Sequence, residues 1–405
     1  MPTTKAGGVP HSEYERRWRR VADATRARGA DAAVIWSRGG ATVDSYADVL
    51  YLANHYSQFP LIADIPPYWI GRSHSALILP VTGEPTLVVD MPDWRRDLVQ
   101  VEDTRFSLDL PGMVGKVLAE RGLSSSTIAL VGGMAMLASP YRYLLAATPN
   151  VEYVDADDLV ELIRADKSPI ELDLLRAAAA VGNQVVAAMI EVALVPGRTE
   201  ADAVAAAYAV AVSHGVATYD AAVASGPNSD YYAFGRLPSW TTRRLEAGDI
   251  FHVDTYGALD GYLYDFARCC VVGGHPSPEQ REVLGAVVDS VGAGVELIKP
   301  GVTASELFNA VHRVLEERGM TGQVGDAHFV SALTYSFPAH GHSIGMGWER
   351  PWFLPDNETE IRPNMCFGIE AMAGRPGVGS AKFEQDVIVT EDGTELLTTI
   401  PTVYW

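Results

Sequence analysis

Five side chains in the C-terminal half of the sequence are of the types that bind divalent metal ions. They are Asp254, Asp265, Glu370 and Glu384, in strand-like apolar segments, and His342, in a glycine-rich segment. One acidic residue in a strand most often faces solvent, but four among apolar neighbours carry a desolvation cost that bound cations would offset. Four carboxylates and one imidazole suit Mn, Fe, Co or Zn. Two ions about 3.5–4 Å apart could share bridging carboxylates and turn a bound water into a hydroxide nucleophile.

Asp254 and Asp265 are predicted to meet on neighbouring strands. They stand eleven residues apart in VDTYGALDGYLYDFAR. An odd separation would place them on opposite faces of one continuous strand. The intervening YGALDG contains two glycines and is typical of a hairpin turn, which would bring both carboxylates to the same place from adjacent strands.

A competing chemistry is suggested by GHSIG, residues 341–345, which fits the serine-hydrolase pattern G-x-S-x-G with Ser343 at its centre. In the α/β-hydrolase fold the catalytic histidine follows the serine in the chain. None of the ten histidines lies after Ser343. Chain order therefore argues against a serine nucleophile unless the triad has an unrelated order. The small residues instead predict a tight turn that allows close backbone approach.

The elements that must position these side chains fall into two regions. Residues 1–164 contain short apolar runs separated by helix-like segments, which predicts an α/β domain. A boundary is expected near Lys167-Ser168-Pro169, where the proline suits a helix start. Residues 165–405 show helices followed by pairs of strand-like segments, an α+β pattern. The predicted elements are a helix at 13–29, strands at 32–36, 75–80, 85–90 and 127–132, helices at 170–195, 199–214, 278–297 and 304–318, and strands at 249–257, 262–272, 364–374 and 381–390.

The composition narrows the class of protein. The 405 residues carry a formal net charge of -20, which repels phosphate backbones and argues against nucleic acid as a partner. Three cysteines, two of them adjacent, predict no disulfide framework, and the N-terminus lacks the apolar core of a secretory signal. Asn183, Gln184 and Glu191 interrupt the most apolar run, residues 177–196, so a buried helix is expected rather than a membrane span. These observations predict a soluble, cytoplasmic protein.

The ordered motifs resemble those of the creatinase/prolidase/aminopeptidase P family of metallopeptidases. That family carries an Asp, a second Asp in a GY-x-x-D-x-x-R context, a GH-x-x-G turn, a Glu before small residues and a Glu in E-D-x-x-x-V-T. Here VDTYGALDGYLYDFAR, GHSIG, IEAMAG and KFEQDVIVTEDG follow in that order. The resemblance implies a C-terminal pita-bread catalytic domain over residues 165–405, preceded by a smaller creatinase N-terminal-like α/β domain over 1–164. It also implies a homodimer, for which we single out the loop PLIADIPPYWIG with Trp69 as a contact.

The same resemblance implies a role for each of the five side chains. Asp254 would hold one ion, and His342 with Glu370 would hold the other. Asp265 and Glu384 would bridge the two ions. Glu370 and His342 would also be the catalytic residues, with Glu370 relaying a proton from the metal-bound water.

Around these ligands the sequence departs from the peptidases of the family. Ala233 stands where they carry a histidine, and Trp348-Glu349 replaces a His-Glu pair, which indicates a rebuilt substrate shell. Lys382 replaces a common arginine, an exchange expected to be neutral. Aromatic residues flank the changed positions, including Trp240 and Trp352; they could line an amphipathic pocket, hold a cationic group or serve ordinary packing. The predicted substrate-binding residues are Tyr231, Tyr232, Trp348 and Arg268, of which Arg268 could instead orient a carboxylate.

Three functions remain open from the sequence. The first is a dinuclear-metal hydrolase that cleaves a C–N bond in a small amide or an Xaa-Pro or other dipeptide-like substrate. The second is an elimination like that of the dimethylsulfoniopropionate lyases, relatives that carry an Asp-Glu pair where this chain has Trp348-Glu349, so that their proton-removing base is missing here. The third is a non-catalytic binding protein, against which the retention of all five ligands argues.

Overall fold

The chain folds into two compact units in a computed structural model that describes residues 8–40, 45–59, 62–231, 237–321 and 339–404, with the backbone alone for residues 230 and 231. The first unit comprises Met1–Arg164 and the second Ala165–Trp405. Their roles as a creatinase N-terminal-like domain and a catalytic domain stay predictions from the resemblance.

The first unit is built on a six-stranded mixed sheet. Its strands are β1 (Ala32–Arg38), β2 (His74–Pro80), β3 (Thr86–Val89), β4 (Asp103–Phe106), β5 (Thr127–Val131) and β6 (Glu152–Asp155), in the spatial order β4-β3-β2-β1-β5-β6. β2 pairs antiparallel with β1 and β3, whereas the other neighbours are parallel. The helices are α1 (His11–Ala27), α2 (Ala47–Ala53), α3 (Leu110–Glu120), α4 (Ala138–Ala147) and α5 (Asp158–Ala165). The helix and the four strands predicted in this region are confirmed.

The sequence of β1 is largely apolar because the strand lies in the middle of this sheet. Val34 and Trp36 on β1 pack with Val114 and Leu118 of α3 in one apolar core. The indole N–H of Trp36 has a hydrogen-bond partner on the neighbouring strand, because Trp36 Nε1 donates to His74 Nδ1 over 2.7 Å. This bond requires His74 to present a lone pair, and hence a neutral ring.

The second unit contains two antiparallel sheets. A three-stranded sheet has the order β7-β8-β9, from β7 (Ala217–Ser225), β8 (Ile250–Leu259) and β9 (Tyr262–Val271). A five-stranded sheet has the order β11-β10-β12-β13-β14, from β10 (Gly341–Ile344), β11 (Trp348–Trp352), β12 (Cys366–Arg375), β13 (Gly379–Val389) and β14 (Thr394–Leu396). The helices are α6 (Pro169–Ala193), α7 (Glu200–Ser213), α8 (Pro278–Leu297) and α9 (Ala304–Glu317). The α+β pattern is confirmed, but the predicted turn at GHSIG is wrong, because its first four residues form β10.

The helices of this unit begin at side-chain caps. At α6 the hydroxyl of Ser168 accepts from the backbone N–H of Glu171, whose carboxylate accepts from the backbone N–H of Ser168. Pro169 occupies the first turn, as predicted for a helix start. The same reciprocal capping box occurs at α7, α8 and α9, each begun by a serine or threonine.

α6 is the one helix among the described residues that is long and apolar enough to cross a membrane, and 56% of its most apolar window is buried inside the protein. Its apolar side chains pack with β8 and β9 in one core. Asn183 on this helix is also buried. Its Nδ2 donates to Leu397 O over 2.9 Å, and its Oδ1 accepts from the backbone N–H groups of Thr399 and Ile400. The amide therefore ties segment 397–400 to α6.

The predicted hairpin between Asp254 and Asp265 is confirmed. β8 and β9 are joined by a two-residue turn, in which Asp260 and Gly261 have φ values of 52° and 87°. Two consecutive left-handed residues of the Asp-Gly type favour a tight hairpin. Asp254 lies opposite Ala267, two residues from Asp265, so the two carboxylates are diagonal neighbours on one face of the hairpin.

Candidate metal centre

Five strands of the second unit each contribute one predicted ligand to a single buried cluster. Asp254 lies on β8, Asp265 on β9, His342 on β10, Glu370 on β12 and Glu384 on β13, and none is more than 8% exposed. His342 Nε2 lies 3.7 Å from Asp265 Oδ2, 3.7 Å from Glu370 Oε1 and 4.0 Å from Glu384 Oε1. The structure thus brings together groups from both sheets around one imidazole.

Strand register explains how the glutamates meet. Glu370 and Glu384 lie directly opposite each other on β12 and β13, so their side chains share one face. Gly368 lies opposite His342 on the neighbouring strand β10. A Cβ at Gly368 would lie 2.5 Å from Glu384 Oε1. A residue without a side chain is therefore needed at this position for the Glu384 carboxylate to reach the cluster.

The donor set fits a divalent metal ion. Ligand atoms of Asp265, His342 and Glu384 all lie within 4.8 Å of one another. Glu370 Oε1 and both carboxylate oxygens of Glu384 are buried without a hydrogen-bond partner in the part of the chain that the structure describes. Buried oxygens of this kind carry a desolvation cost that a cation would offset. Mixed carboxylate and imidazole donors are those that Mn, Fe, Co and Zn use in proteins.

Burial dominates the electrostatics of the cluster. Burial, followed by the charge of Asp254, raises the pKa of the Asp265 carboxyl well above its usual value. Burial, followed by the charge of Asp265, does the same to the pKa of Glu384. Burial also lowers the pKa of His342, which leaves a neutral imidazole with a lone pair for a metal. A divalent cation would be the largest local charge in the cluster. It would therefore favour the ionised form of the carboxylates and oppose the effect of burial.

Lys382 lies inside the cluster, which corrects the expectation of a neutral exchange. Its Nζ makes a short contact with Asp254 Oδ2 and lies 2.8 Å from Glu370 Oε2 and 3.4 Å from Glu384 Oε2. The ammonium therefore neutralises part of the carboxylate charge. Side chains alternate between the two faces of a strand, and Lys382 and Glu384 are two residues apart on β13. The sequence therefore indicates that they share a face.

An aromatic wall, formed by Tyr256, Trp348 and Trp352, stands beside the cluster. Trp348 Nε1 donates to Asp265 Oδ2 over 2.5 Å, and its ring centroid lies 4.9 Å from that of Tyr256. The ring of Trp352 lies 4.9 Å from that of His342. All three rings are half-buried. The substrate-binding role of Trp348 stays a prediction, to which the structure adds a hydrogen bond to a predicted ligand.

Arg268 is buried on β9 and contacts the backbone of a ligand strand. Its guanidinium donates to Glu384 O over 2.6 Å, to Gln385 Oε1 over 2.7 Å and to Pro401 O over 3.1 Å. Burial lowers the pKa of Arg268 to about 10, which leaves it charged at pH 7. The predicted substrate contact does not fit a side chain with no exposed surface. The alternative role also needs correction, since the groups held are carbonyls and an amide rather than a carboxylate.

Asp386 is a buried carboxylate beside the cluster that the sequence analysis missed. Its Oδ2 accepts from the backbone N–H of Asp265 over 3.2 Å. Burial, followed by the charge of Asp265, raises the pKa of Asp386 well above its usual value. Asp386 is two residues beyond Glu384, so the same alternation along β13 that places Glu384 in the cluster would have indicated it.

Ser343 is not accessible to a substrate. Its side chain is fully buried, and Lys167 Nζ donates to its Oγ over 3.2 Å. The same ammonium lies 3.2 Å from Glu349 Oε2 in a buried ion pair. A Cβ at Gly345 would lie 2.6 Å from Glu349 Oε1, so the second glycine of GHSIG makes room for this carboxylate. The close approach predicted for this segment is confirmed, although β10 rather than a turn provides it.

The predictions for the other aromatic residues differ in how far the structure bears on them. Tyr232 and Ala233 lie outside the described residues. Tyr231 ends a 3-10 turn, Gly226–Tyr231, that follows β7. Substrate binding by Tyr231 and Tyr232 stays a prediction. Trp240 packs edge-on against Tyr208 of α7, with ring centroids 5.6 Å apart, which supports the packing alternative.

A family profile, related sequences and a solved structure all match this chain. The sequence profile of "Metallopeptidase family M24" matches residues 173–391. A "Probable dipeptidase PepE" of Mycobacterium tuberculosis is 32% identical over 342 residues, which are 81% of this chain and 84% of that protein. An "Xaa-Pro dipeptidase" of Pyrococcus furiosus is 29% identical over 252 residues, 61% of this chain and 67% of that protein. The crystal structure of dipeptidase PepE from Mycobacterium ulcerans superposes with a TM-score of 0.76 at 29% identity and covers 98% of this chain and 100% of that chain.

Proposed function

Because this chain belongs to metallopeptidase family M24, a family of metal-dependent hydrolases, we propose that it hydrolyses the amide bond of a dipeptide, including Xaa-Pro dipeptides. The pita-bread fold predicted for the C-terminal domain is confirmed by the likeness to the solved dipeptidase. The observation that carries the proposal is the convergence of five ligand side chains from five strands in one buried cluster. The relatives named as dipeptidases support the substrate class.

Asp254, Asp265, His342, Glu370 and Glu384 are the proposed metal ligands. Divalent metal is the cofactor of the family, and we propose two ions drawn from Mn, Fe, Co and Zn. Four carboxylates and one imidazole are enough donors for two ions that share bridging carboxylates. When bound, the metal supplies a Lewis acid for the scissile carbonyl and lowers the pKa of the attacking water.

Glu370 is the proposed proton carrier. Its Oε1 is buried, lies 3.7 Å from His342 Nε2 and has no hydrogen-bond partner among the described residues. A carboxylate placed in this way can take the proton of the attacking water and give it to the departing amine nitrogen, so that the amine leaves as a neutral group. His342 contributes its neutral ring nitrogen to the same site and keeps the donor atoms together.

The aromatic wall supports a proposal about the class of substrate. An indole N–H donates a hydrogen bond but accepts no proton, so Trp348 cannot replace the proton transfer of the histidine that stands there in the family. We therefore assign the proton transfer to Glu370. The half-buried rings of the wall offer an apolar surface beside the cluster, which supports dipeptides with apolar side chains.

Elimination of the lyase type is not proposed. Its mechanism needs a base where this chain carries Trp348, and the indole nitrogen is a donor only. The findings on relatives concern dipeptidases and support hydrolysis instead.

We also propose that the enzyme is a cytoplasmic homodimer. Its described cysteines are all free and buried, which suits a reducing compartment. The loop singled out for the dimer contact is exposed at Ile65 and Tyr68, and Trp69 Nε1 donates to Ala63 O within it over 3.0 Å. Pro60 and Leu61, at its start, lie outside the described residues.

The proposal is tested by dipeptide hydrolysis. The chain is stripped with a chelator, reloaded with Mn²⁺, Fe²⁺, Co²⁺ or Zn²⁺, and incubated with Xaa-Pro and other apolar dipeptides, and free amino acids are measured by mass spectrometry. We expect metal-dependent release that is lost in Asp254→Asn and Glu370→Gln. Asp173→Asn, at an exposed carboxylate of α6, serves as the matched control and should keep the activity. Intact dipeptides with every metal, from a folded chain that binds metal, would overturn the proposal.

A further inference from the structure

We propose that Tyr256 is a catalytic residue, whose hydroxyl donates a hydrogen bond to the carbonyl oxygen of the scissile amide as that oxygen becomes negatively charged. This inference rests on the proposed dipeptide hydrolysis and deepens it, because it assigns a group that stabilises the transition state. The motifs in the sequence give no role to this residue.

Strand register places Tyr256 beside two of the proposed ligands. It lies directly opposite Asp265 of β9, and it follows Asp254 by two residues on β8. Residues directly opposite each other, and residues two apart on one strand, share a face of the sheet. The side chain of Tyr256 therefore rises from the same face as both carboxylates.

The hydroxyl of Tyr256 is an uncommitted donor. It makes no hydrogen bond with the residues that the structure describes, and solvent reaches it. The indole N–H of Trp348, by contrast, already donates to Asp265 Oδ2. Burial raises the pKa of the phenol most, and the charges of Asp220, Asp254 and Asp265 raise it further. The hydroxyl therefore lies within electrostatic range of both ligands and is open to a substrate bound at the cluster.

The surroundings of Tyr256 hold its ring and leave room beside it. The ring packs edge-on against Trp348, with centroids 4.9 Å apart. The residues opposite Asp254 on both neighbouring strands are alanines, Ala222 of β7 and Ala267 of β9. These short side chains leave space for a substrate on the face that carries the phenol.

Amide hydrolysis needs a donor of this kind. Attack of water forms a C–O bond, and the electron pair of the C=O bond moves onto the carbonyl oxygen while Glu370 takes the proton of the water. That electron pair then restores the C=O bond, the C–N pair leaves with nitrogen, and the nitrogen takes the proton from Glu370. Tyr256 keeps its own proton throughout. Its hydrogen bond is strongest in the transition state, because the acceptor oxygen gains charge there.

The first test is the Tyr256→Phe variant, which removes the hydroxyl and keeps the ring against Trp348. For an apolar dipeptide that the metal-loaded, unaltered chain cleaves, we expect kcat to fall about 100-fold while KM changes little. A phosphinic analogue of that dipeptide carries an anionic oxygen on a tetrahedral phosphorus, and its inhibition constant should rise by a similar factor. Tyr208→Phe is the matched control, because the Tyr208 ring also packs edge-on against a tryptophan, and it should match the unaltered chain.

A crystal structure of the metal-loaded, unaltered chain with the phosphinic analogue gives a second test that needs no variant. Tyr256 Oη should lie about 2.5–3.0 Å from a phosphinyl oxygen. A phenol directed away from the phosphinyl group, a rise in KM with kcat unchanged, or equal kinetics in folded Tyr256→Phe and Tyr208→Phe would overturn the inference and leave the proposed function standing. A folded, metal-loaded chain that cleaves no dipeptide would refute both.

Discussion

The indole of Trp348 donates a hydrogen bond to Asp265 Oδ2 over 2.5 Å, so a residue of β11 holds a carboxylate of β9 in place. Trp348 lies where peptidases of the family carry a histidine. The replacement puts a hydrogen-bond donor to a proposed metal ligand where the family has a residue for proton transfer. The rings of Tyr256 and His342 both lie next to the indole of Trp348.

Removal of this hydrogen bond should impair catalysis without loss of the fold. In Trp348→Phe the aromatic ring remains, but Asp265 loses a donor to a charged oxygen. Such bonds contribute about 1.5–3 kcal/mol, so we expect kcat/KM for a dipeptide to fall roughly 10- to 100-fold. Trp352→Phe, which keeps a ring beside His342, is the matched control and should change kcat/KM less. Equal losses in both variants would show that the indole N–H has no special role.

Ser343 should be dispensable for the chemistry. Because its hydroxyl is buried against Lys167, Ser343→Ala should lower the free energy of unfolding by about 1 kcal/mol and keep most of the dipeptidase activity. Glu370→Gln should instead lower kcat by about 10²–10⁴-fold, the range for loss of a proton carrier. Steady-state kinetics and urea unfolding of the two variants separate these outcomes. Loss of activity in a stable Ser343→Ala variant would point back to a serine nucleophile.

Arg268 should be essential for stability. Arg268→Met leaves three backbone carbonyls and the Gln385 side chain without their cation, which we expect to cost about 3 kcal/mol of unfolding free energy. Arg176→Met offers a matched control, because that arginine forms an exposed ion pair with Glu395 that contributes less than about 1 kcal/mol. Chemical unfolding followed by circular dichroism measures both. Similar costs in the two variants would contradict the buried role of Arg268.

His74 should make the stability of the first unit depend on pH. Burial, followed by the charge of Arg38, lowers the pKa of His74 from 6.5 to about 4. Between these values the unfolded chain binds a proton that the folded chain does not, so stability should be full above pH 6.5 and fall towards pH 4. The loss attributable to this group is about 3 kcal/mol.

This pH dependence can be assigned with a variant. His74→Asn keeps an acceptor for Trp36 Nε1 but has no titrating ring. Urea unfolding at pH 7.5 and pH 5 should show a smaller pH effect in this variant than in the unaltered chain. His214→Asn, at an exposed histidine at the end of α7, should retain the effect. An equal slope in His74→Asn would assign the dependence to other groups.

The parts of the site that follow from local sequence were predictable. The β8–β9 hairpin could be read from Asp260 and Gly261, because an Asp-Gly turn between alternating strands has few other conformations. The five predicted ligands came from motif order, and the structure gathers them in one cluster. The start of α6 was visible in Ser168 and Pro169, which together form a helix cap.

The parts that depend on tertiary contacts were not predictable. The alternation along β13 places Lys382 on the same face as Glu384, but its contacts with the carboxylates of Asp254 and Glu370 exist only once β8, β12 and β13 pack together. The motif around Arg268 predicts substrate binding or the orientation of a carboxylate, but the carbonyls that it binds come from segments distant in the chain. The glycines of GHSIG predict a turn, whereas in the structure Gly345 makes room for the Glu349 carboxylate.

The segment from Leu397 to Pro401 is held at two points. Asn183 binds its first part, and Arg268 binds Pro401 O with the same guanidinium that holds Glu384 O. A cut in the backbone between Leu397 and Pro401 would free Arg268 from one of its acceptors and loosen the strand that carries Glu384, a proposed metal ligand. The integrity of this segment therefore bears on the geometry of the cluster although it supplies none of the predicted ligands.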